Sequence, residues 1–325
     1  MTCIRSEIIG HGHYAPKKTL TNDDLAKIVD TNDEWITTRT GIKSRNVVED
    51  EFNSDLACNA AKMALDNAKI KADEIDLIVL ATVTPDVTTP ATAIKLGGML
   101  GARVGIPAFD ISAACSGFVY ALTMADNMIK LGQAKTALII GSETLSKITD
   151  WTDRNTCVLF GDGAGAVVLR ATEGNGTNED TGVLSTVLYS DGTHFDNLRT
   201  TGGISTTQNA GFVTMDGKEV FKFAVTSMPQ AAEEAMKRAN ITIDDVDWII
   251  PHQANIRIIE GVAKKLELPE EKAIVNIANH GNTSAATIPM TLSEKIEDGT
   301  IKKGDMIVLT AMGAGFTWGG AVVRL

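Results

Sequence analysis

The sequence predicts a layered α/β fold built from two similar halves, and three observations support this prediction. Short apolar runs typical of buried strands alternate with amphipathic helical segments along the whole chain. One segment, running from a helix through an acidic turn into a strand, occurs once in each half. The chain has 325 residues, of which 44% are hydrophobic, so it can supply the large core that such a fold needs.

The repeated segment indicates an internal duplication. Residues 64–79 align without a gap on residues 235–250, with alanine, isoleucine and aspartate identical at several equivalent positions. Further strands recur in the same order in both halves: 108–112 with 274–278, 137–141 with 306–311 and, more weakly, 163–169 with 319–323. Two β/α units of this kind are expected to pack about an approximate twofold axis, with equivalent helix starts meeting near it.

We therefore expect an N-terminal half at 1–171 and a C-terminal half at 216–325. The connection at 172–215 is rich in Gly, Thr, Asn and Asp, so we expect a loop-rich segment with short strands. Acidic first turns, apolar stripes and continuous aliphatic runs predict the remaining early elements. These are a strand at 4–10, a helix start at 21–24, an amphipathic helix at 55–68 and a buried strand at 76–82.

A short capped helix is predicted between Asn32 and Gly41, because asparagine is a good N-cap and glycine a common C-cap. Trp35 and Arg39 lie four residues apart, so they share one face of this helix. An indole beside a guanidinium is either ordinary surface packing or a platform for a nucleotide, whose base stacks and whose phosphates pair with arginine. The sequence of this helix is consistent with both interpretations.

Cys115 lies where a predicted strand turns into a long apolar helix that Gly132 closes. A thiol in the first helical turn is close to free backbone N–H groups and to the positive end of the helix dipole, which favour the reactive thiolate. An inert core cysteine is the alternative interpretation of this stretch. The other cysteines, Cys3, Cys58 and Cys157, have no paired spacing, so neither a disulfide framework nor a zinc site is predicted.

His252 is the histidine best placed to act with Cys115. It ends a buried strand at 248–251 and opens a helix, and strand ends of this kind carry polar groups into a cleft. Asn282 is predicted at a similar junction of strand and helix. His280 is the rival base, but its place in the loop favours a packing role. The remaining histidines are interpreted as structural, surface or loop residues: His11, His13 and His194.

A cysteine nucleophile with two neutral hydrogen-bond donors suits a carbonyl condensation, in which an oxyanion or an enolate must be stabilised. If the second substrate loses carbon dioxide, no base is needed to remove a proton from carbon. The glycine-rich turn at 311–316 offers backbone N–H groups that, with that of Cys115, can surround a thioester oxygen. Taken alone, the same turn is equally consistent with a tight connection between two buried strands.

Charge and hydropathy exclude some classes of function. The net charge of −11 argues against non-specific binding of nucleic acid. No apolar run approaches the roughly 20 residues of a membrane-spanning helix. The N-terminal residues also do not follow the pattern of a signal peptide. We therefore expect a cytoplasmic protein that binds neither nucleic acid nor membrane.

Taken together, the motifs resemble those of the β-ketoacyl-acyl carrier protein synthase III family, the initiating condensing enzymes of the thiolase-like superfamily. The resemblance covers essentially the whole chain and rests on the motifs at 32–42, 113–118, 160–165, 251–255 and 281–285. It implies a thiolase-like layered fold and an acyltransferase of fatty acid biosynthesis that needs no cofactor. In such an enzyme Cys115 takes the acyl group from acyl-CoA, and His252 and Asn282 support decarboxylation of malonyl-acyl carrier protein. The product is a 3-oxoacyl-acyl carrier protein.

The resemblance also implies binding roles for other residues, and a homodimer. Trp35 and Arg154 would flank the CoA adenine, and the full set implied for the path of CoA is Thr31, Trp35, Arg39, Arg154, Gly217, Phe221, Ala254 and Asn255. A basic patch for an acidic carrier protein is implied at Lys222, Arg257, Lys264 and Lys265, with a solvated helix face as the alternative. The backbone N–H groups of Cys115 and Ala314 would bind the oxyanion.

Two positions depart from the usual pattern of the family. The glycine-rich turn reads Gly-Ala-Gly where three glycines are usual, and we expect Ala314 to be tolerated if its φ is negative. Thr89 stands where some members have phenylalanine at the floor of the acyl pocket, contributed across a dimer. We therefore expect a roomier pocket that accepts primers longer than acetyl.

Several alternatives are weighed against this interpretation. A thiolase needs a second cysteine in the C-terminal half, and no cysteine follows Cys157. Elongating synthases pair their cysteine with two histidines, whereas the third position here is Asn282. A starter-type ketosynthase of a polyketide, quinolone or related pathway is a further possible identity, because such enzymes share the catalytic triad of cysteine, histidine and asparagine. A cysteine hydrolase and a non-catalytic carrier-protein scaffold are further alternatives.

Overall fold

Two mixed β-sheets with matching strand order form the frame of the molecule, which a computed structural model describes over residues 3–325. In chain order the strands are β1 (Cys3–Tyr14), β2 (Lys18–Thr21), β3 (Ser44–Val47), β4 (Leu77–Ala81), β5 (Ala108–Ile111), β6 (Thr136–Thr144), β7 (Asp162–Gly174), β8 (Gly182–Ser190), β9 (Leu198–Thr200), β10 (Val213–Met215), β11 (Trp248–Pro251), β12 (Met306–Gly313) and β13 (Thr317–Arg324). The first sheet has the order β1-β7-β6-β4-β5 and the second β11-β12-β13-β8. The pairs β2-β3 and β9-β10 form two small additional sheets.

Helices cover both sheets and also fill the space between them. They are α1 (Asn22–Leu25), α2 (Asp33–Thr40), α3 (Asn53–Ala68), α4 (Thr92–Leu100), α5 (Gly117–Lys130), α6 (Gly217–Ala239), α7 (Ile256–Lys265), α8 (Ile277–His280) and α9 (Thr287–Glu297). Helices α5 and α9 pack with both sheets in one buried core. Helices α3 and α4 pack on the other side of the first sheet, and α6 and α7 on the other side of the second. The predicted layered α/β fold is therefore confirmed.

The duplication predicted from the sequence is visible in the strand directions. In each sheet a parallel pair, β4-β6 or β11-β12, is followed by an antiparallel partner, β7 or β13. In both halves a 3-10 turn leads into the central helix, and its first residue has a left-handed backbone, with φ of 45° at Ala114 and 50° at Ser284. The segment at 172–215 contains β8, which pairs with β13. A strand of the second sheet thus lies inside the proposed connection.

The strand predicted at 274–278 is wrong, because α8 begins within this range. The side chain of Gln253 explains the difference. Its Nε2 donates to the carbonyl of Ile274 at 3.1 Å, and its Oε1 accepts from the backbone N–H of Asn276 at 3.0 Å. A side-chain amide therefore satisfies backbone groups that a neighbouring strand would otherwise pair.

Helix α2 has the capping residues predicted for it. The side chain of Asn32 accepts a hydrogen bond from the backbone N–H of Trp35 at 2.8 Å. Gly41 ends the helix with φ of 80°, and a Cβ there would lie 2.8 Å from the Cβ of Ile256 in α7. Glycine therefore meets both the backbone conformation and the close approach of α7. This contact fixes the position of the helix that carries Trp35.

Candidate active site

A cavity of about 1280 Å³ leads to Cys115, and it brings together residues from both halves of the chain. Cys115, His252, Asn282 and Ala314 all line it. His252 and Ala314 directly follow β11 and β12, Cys115 lies in the 3-10 turn that leads into α5, and Asn282 lies just before the 3-10 turn that leads into α9. The equivalent junctions of the two halves thus meet at one site, as the duplication predicts.

Cys115 lies in the 3-10 turn Ala114–Ser116, directly before α5 rather than in the first turn of that helix. Its side chain is open to the cavity but surrounded by protein, and its thiol is free. Burial raises the pKa of this thiol to about 12, although hydrogen bonding with Ser284 lowers it. Burial therefore opposes the thiolate that the helix start is expected to favour.

The glycine-rich turn between β12 and β13 packs directly on the nucleophile turn. A Cβ on Gly313 would lie 2.5 Å from the backbone nitrogen of Cys115, so a side chain at Gly313 has no room. Ala314 is not among the described residues with positive φ, so the condition for tolerating alanine is met. The Oγ1 atom of Thr317 lies 3.0 Å from the carbonyl oxygens of both Ala113 and Ala314. Thr317, which no sequence pattern indicated as functional, thus links the two turns.

His252 follows β11 and is 2% exposed. Burial lowers the pKa of its imidazole to about 3, so the ring is neutral near neutral pH. The Nδ1 atom lies 2.7 Å from the Oγ1 atom of Thr287. The Thr287 hydroxyl has a single hydrogen and two acceptors within reach, Nδ1 and the carbonyl oxygen of Ser284 at 3.0 Å. Donation of this hydrogen to Nδ1 places the ring proton on Nε2 and makes Nε2 a neutral donor, whereas donation to Ser284 places the ring proton on Nδ1. Thr287 was not predicted from the sequence.

The backbone and side chain of Asn282 are both held in place. Its backbone N–H donates to the carbonyl of Leu159 at 2.9 Å, and its carbonyl accepts from the N–H of Gly161 at 3.1 Å. The side-chain Oδ1 accepts from the N–H of Ser284 at 2.9 Å. Because Oδ1 is engaged in this bond, the Nδ2 group is the part of the amide available as a donor to the cavity.

His280, the rival base, does not line the cavity. Its Nε2 lies 2.7 Å from Glu294 Oε1, and its Nδ1 lies 3.2 Å from Asn46 Oδ1. Both ring nitrogens therefore have protein partners outside the cavity. This placement agrees with the packing role expected from the sequence.

The residues implied for CoA divide into two groups. Six of them line the cavity: Trp35, Arg39, Gly217, Phe221, Ala254 and Asn255. Thr31 and Arg154 do not line it. The guanidinium of Arg154 lies 4.2 Å from the centroid of the Trp35 ring, and that of Arg39 lies 4.8 Å from it. An adenine between Trp35 and Arg154 therefore requires Arg154 to move away from the indole.

The four residues of the implied basic patch, Lys222, Arg257, Lys264 and Lys265, are exposed on α6 and α7, which pack together. Of the four, Arg257 also lines the cavity. Thr89 is exposed and does not line the cavity of its own chain. Its role in the acyl pocket of a partner subunit stays a prediction.

The described residues show no cluster of three or more histidine, cysteine, aspartate or glutamate side chains that could hold a metal ion. Within residues 3–325, no helix has both the length and the apolar character needed to cross a membrane. The expectation that the reaction needs no cofactor stays a prediction.

Both halves of the chain match models of one protein family. Residues 109–192 match the model described as 3-oxoacyl-[acyl-carrier-protein (ACP)] synthase III, and residues 236–325 match the model of its C-terminal part. A curated β-ketoacyl-[acyl-carrier-protein] synthase III from Rhodospirillum centenum is 57% identical over 322 residues, which is 99% of both chains. A second curated protein of the same name, from Rhodospirillum rubrum, is 54% identical over 322 residues, again 99% of both chains.

Solved structures show the same similarity. The 3-oxoacyl-[acyl-carrier-protein] synthase III from Aquifex aeolicus superimposes with a TM-score of 0.92 at 50% identity, covering 98% of this chain and 100% of that one. A priming β-ketosynthase of a polyketide pathway has a TM-score of 0.92 at 33% identity, covering 98% and 96%. These similarities confirm the thiolase-like fold, and the identity over nearly the whole length shows that the chain belongs to the β-ketoacyl-acyl carrier protein synthase III family.

Proposed function

We propose that this protein is the acyltransferase that begins fatty acid synthesis, joining an acyl-CoA primer to malonyl-acyl carrier protein. The observation that carries the proposal is the meeting of Cys115, His252 and Asn282, from opposite halves, in one cavity. A nucleophile and two neutral donors in one enclosed site suit a decarboxylative condensation of thioesters.

In the first half-reaction the sulfur of Cys115 attacks the carbonyl carbon of the acyl-CoA. The backbone N–H groups of Cys115 and Ala314 are proposed to bind the oxyanion that forms, which the close packing of their two turns supports. The bond from carbon to the CoA sulfur then breaks. CoA leaves as a thiol, and the acyl group stays on Cys115 as a thioester.

In the second half-reaction the malonyl thioester loses carbon dioxide and becomes an enolate. Nε2 of His252 and Nδ2 of Asn282 are proposed to donate to the enolate oxygen. The engagement of Asn282 Oδ1 by the N–H of Ser284 supports the role of Nδ2, and the role of Nε2 requires the Thr287 hydroxyl to donate to Nδ1. The enolate carbon attacks the acyl group on Cys115. The 3-oxoacyl-acyl carrier protein leaves, and the thiol of Cys115 is restored by a proton.

The carrier protein is proposed to bind the basic patch formed by Lys222, Arg257, Lys264 and Lys265. These side chains are exposed although the whole chain has a net charge of −11, so they offer a local attraction to an acidic partner. We also propose a homodimer, since β5 is an edge strand and Val87 and Ile94 are each 53% exposed. The cytoplasmic location stays a prediction.

A starter-type ketosynthase of a polyketide or related pathway is the second candidate. The observation that favours it is the TM-score of 0.92 with a priming β-ketosynthase at 33% identity. The higher identity of 57% to a β-ketoacyl-acyl carrier protein synthase III favours fatty acid synthesis. Enzymes of both kinds are expected to share the triad and to differ in the primer that they accept.

Turnover with acetyl-, isobutyryl- and hexanoyl-CoA, with malonyl-acyl carrier protein as acceptor, tests the function and the role of Thr89. We expect a 3-oxoacyl product with acetyl-CoA and measurable turnover with the longer primers. The matched variant Thr89→Phe should lower hexanoyl turnover by about tenfold or more and spare acetyl turnover, because a filled pocket rejects extra methylenes. Strict acetyl preference of the unmodified protein would contradict the role of Thr89. A lack of product with every primer would contradict the function.

A further inference from the structure

Two hydroxyl groups, those of Ser116 and Thr317, join the turn that carries the nucleophile to the glycine-rich turn. Their oxygens lie 2.8 Å apart, although the two residues come from opposite halves of the chain. Ser116 directly follows Cys115 and is 0% exposed. Thr317 begins β13 and lines the cavity. Neither hydroxyl is used in the two half-reactions proposed above.

Each of these hydroxyls has one hydrogen, and the distances show which acceptors it can reach. Ser116 Oγ lies 2.8 Å from both Thr317 Oγ1 and the carbonyl oxygen of Ala113. Thr317 Oγ1 lies 3.0 Å from the carbonyl oxygens of Ala113 and Ala314. The carbonyl of Ala113 already has a donor, because it accepts from the backbone N–H of Ser116 at 3.2 Å. The two hydrogens can therefore form one chain, in which Ser116 donates to Thr317 and Thr317 donates to the carbonyl of Ala314.

Ala314 has a close contact on both sides along the chain. Before it, Gly313 packs so tightly on the nucleophile turn that a Cβ there would lie 2.5 Å from the backbone nitrogen of Cys115. After it, the carbonyl oxygen of Ala314 lies within hydrogen-bond distance of Thr317. The backbone N–H groups of Cys115 and Ala314 are the donors proposed for the oxyanion, so their spacing depends on how these two turns are held together.

The backbone of Thr317 is itself well anchored. Thr317 pairs with Gly313 in β12 and with Ser190 in β8, so strands support it on both sides. Next to it, the N–H of Phe316 donates to the carbonyl of Asp191 at 2.7 Å, and the N–H of Asp191 donates to the carbonyl of Phe316 at 2.8 Å. Loss of the Thr317 hydroxyl alone should therefore change the contact between the two turns without unfolding the sheet.

We propose that Ser116 and Thr317 are positioning residues that hold the backbone N–H groups of Cys115 and Ala314 at the spacing needed to bind the oxyanion. The inference rests on the proposed acylation of Cys115. Ser116 orients the hydroxyl of Thr317 by donating to it, and Thr317 in turn holds the carbonyl of Ala314. Both residues act through backbone groups rather than on the reacting atoms. Their loss should slow formation of the tetrahedral oxyanion and leave the reactivity of the sulfur itself unchanged.

Two reagents separate this role from a general effect on the thiol. p-Nitrophenyl acetate acylates a thiol through a tetrahedral oxyanion and releases nitrophenolate, whereas iodoacetamide alkylates sulfur at a saturated carbon, releases iodide and forms no oxyanion. Both rates are measured at Cys115 by peptide mass spectrometry of the full-length protein. In Thr317→Val we expect acylation to slow by about ten- to a hundredfold, the effect of misplacing a group that binds the transition state. Alkylation should stay within about twofold of its rate in the unmodified protein.

Further variants test whether the two hydroxyls act as a pair. Thr317→Ser keeps the hydroxyl and should restore acylation. Ser116→Ala should also slow acylation, but adding it to Thr317→Val should cause no further loss, because the chain of hydrogen bonds is already broken. The matched control is Thr123→Val, which removes a buried hydroxyl in α5 that donates to the carbonyl of Val119 and does not line the cavity. Both of its rates should equal those of the unmodified protein.

Normal acylation in Thr317→Val, or no recovery in Thr317→Ser, would overturn the proposal. A parallel fall in acylation and alkylation would overturn it as well, because the variant would then have changed the thiol itself. Losses that multiply in the double variant would overturn the pairing of the two hydroxyls. Ser116→Ala keeps the backbone bond from Ser116 to Ala113, so it decides the question if Thr317→Val does not fold.

The proposed function and this inference fail separately, because p-nitrophenyl acetate needs neither CoA nor a carrier protein. The expected pattern of rates in a protein that forms no 3-oxoacyl product would reject only the proposed function. Normal condensation by the unmodified protein, together with normal acylation in Thr317→Val, would reject only the positioning role.

Discussion

Replacing Cys115 with serine should abolish acyl transfer, with no acyl-enzyme detectable by mass spectrometry of the intact protein after incubation with acyl-CoA. The physical reason is the burial of the side chain. Burial already raises the pKa of the thiol to about 12, and a hydroxyl in the same place loses its proton still less readily. Removal of a catalytic nucleophile lowers turnover by about a millionfold, and we expect an effect of that scale here.

The matched control is Cys3→Ser in β1, which changes a free cysteine that does not line the cavity. Its acyl adduct and its turnover should equal those of the unmodified protein. An acyl adduct of normal yield in Cys115→Ser would mean that another group receives the primer. Rapid release of free acid by the unmodified protein, with no stable adduct, would instead point to a hydrolase.

The positions of Cys115, His252 and Asn282 could be predicted from the sequence, because each occurs where an apolar run ends and a helical pattern begins. The duplication then predicted that such junctions meet near one axis. The assignment of the three residues to one reaction came from the resemblance. Local pattern and resemblance together therefore predicted both the fold and the candidate site.

The residues that hold the catalytic residues in place could not be predicted from the sequence in this way. Thr317 reads as part of the strand after the glycine-rich turn, and Thr287 as one of several polar residues at a helix start. Their importance depends on contacts between segments distant in the sequence, such as that of Thr287 with His252. Side-chain hydroxyls follow no periodic pattern in the sequence from which such a contact could be predicted.

The high pKa of the Cys115 thiol could not be predicted from the sequence, for a related reason. The sequence reveals the helix start that favours a thiolate, but not the surrounding segments that exclude water from the thiol. Burial is a property of the whole fold, and at this residue it outweighs the local effect. The strand predicted at 274–278 was wrong because the side chain of Gln253, about twenty residues earlier, pairs with that backbone.

Asn282→Ala should leave acylation of Cys115 intact and lower decarboxylative condensation by about a hundred- to a thousandfold, the effect of losing one oxyanion donor. The side chain of Asn282 contributes to the second half-reaction through Nδ2, because its Oδ1 is engaged by the N–H of Ser284. Acylation is measured by mass spectrometry with acyl-CoA alone. Condensation is measured as 3-oxoacyl product after malonyl-acyl carrier protein is added.

The alanine variant also removes the acceptor for the N–H of Ser284, whose backbone is left-handed with φ of 50°. Asn282→Asp separates the two effects, because it keeps an oxygen for that N–H and replaces the donor with a second oxygen. We expect condensation by Asn282→Asp to be as low as in the alanine variant or lower, since a carboxylate repels the enolate. Restored condensation in Asn282→Asp would show that the asparagine acts by holding Ser284. An equal loss of both half-reactions in Asn282→Ala would contradict the donor role.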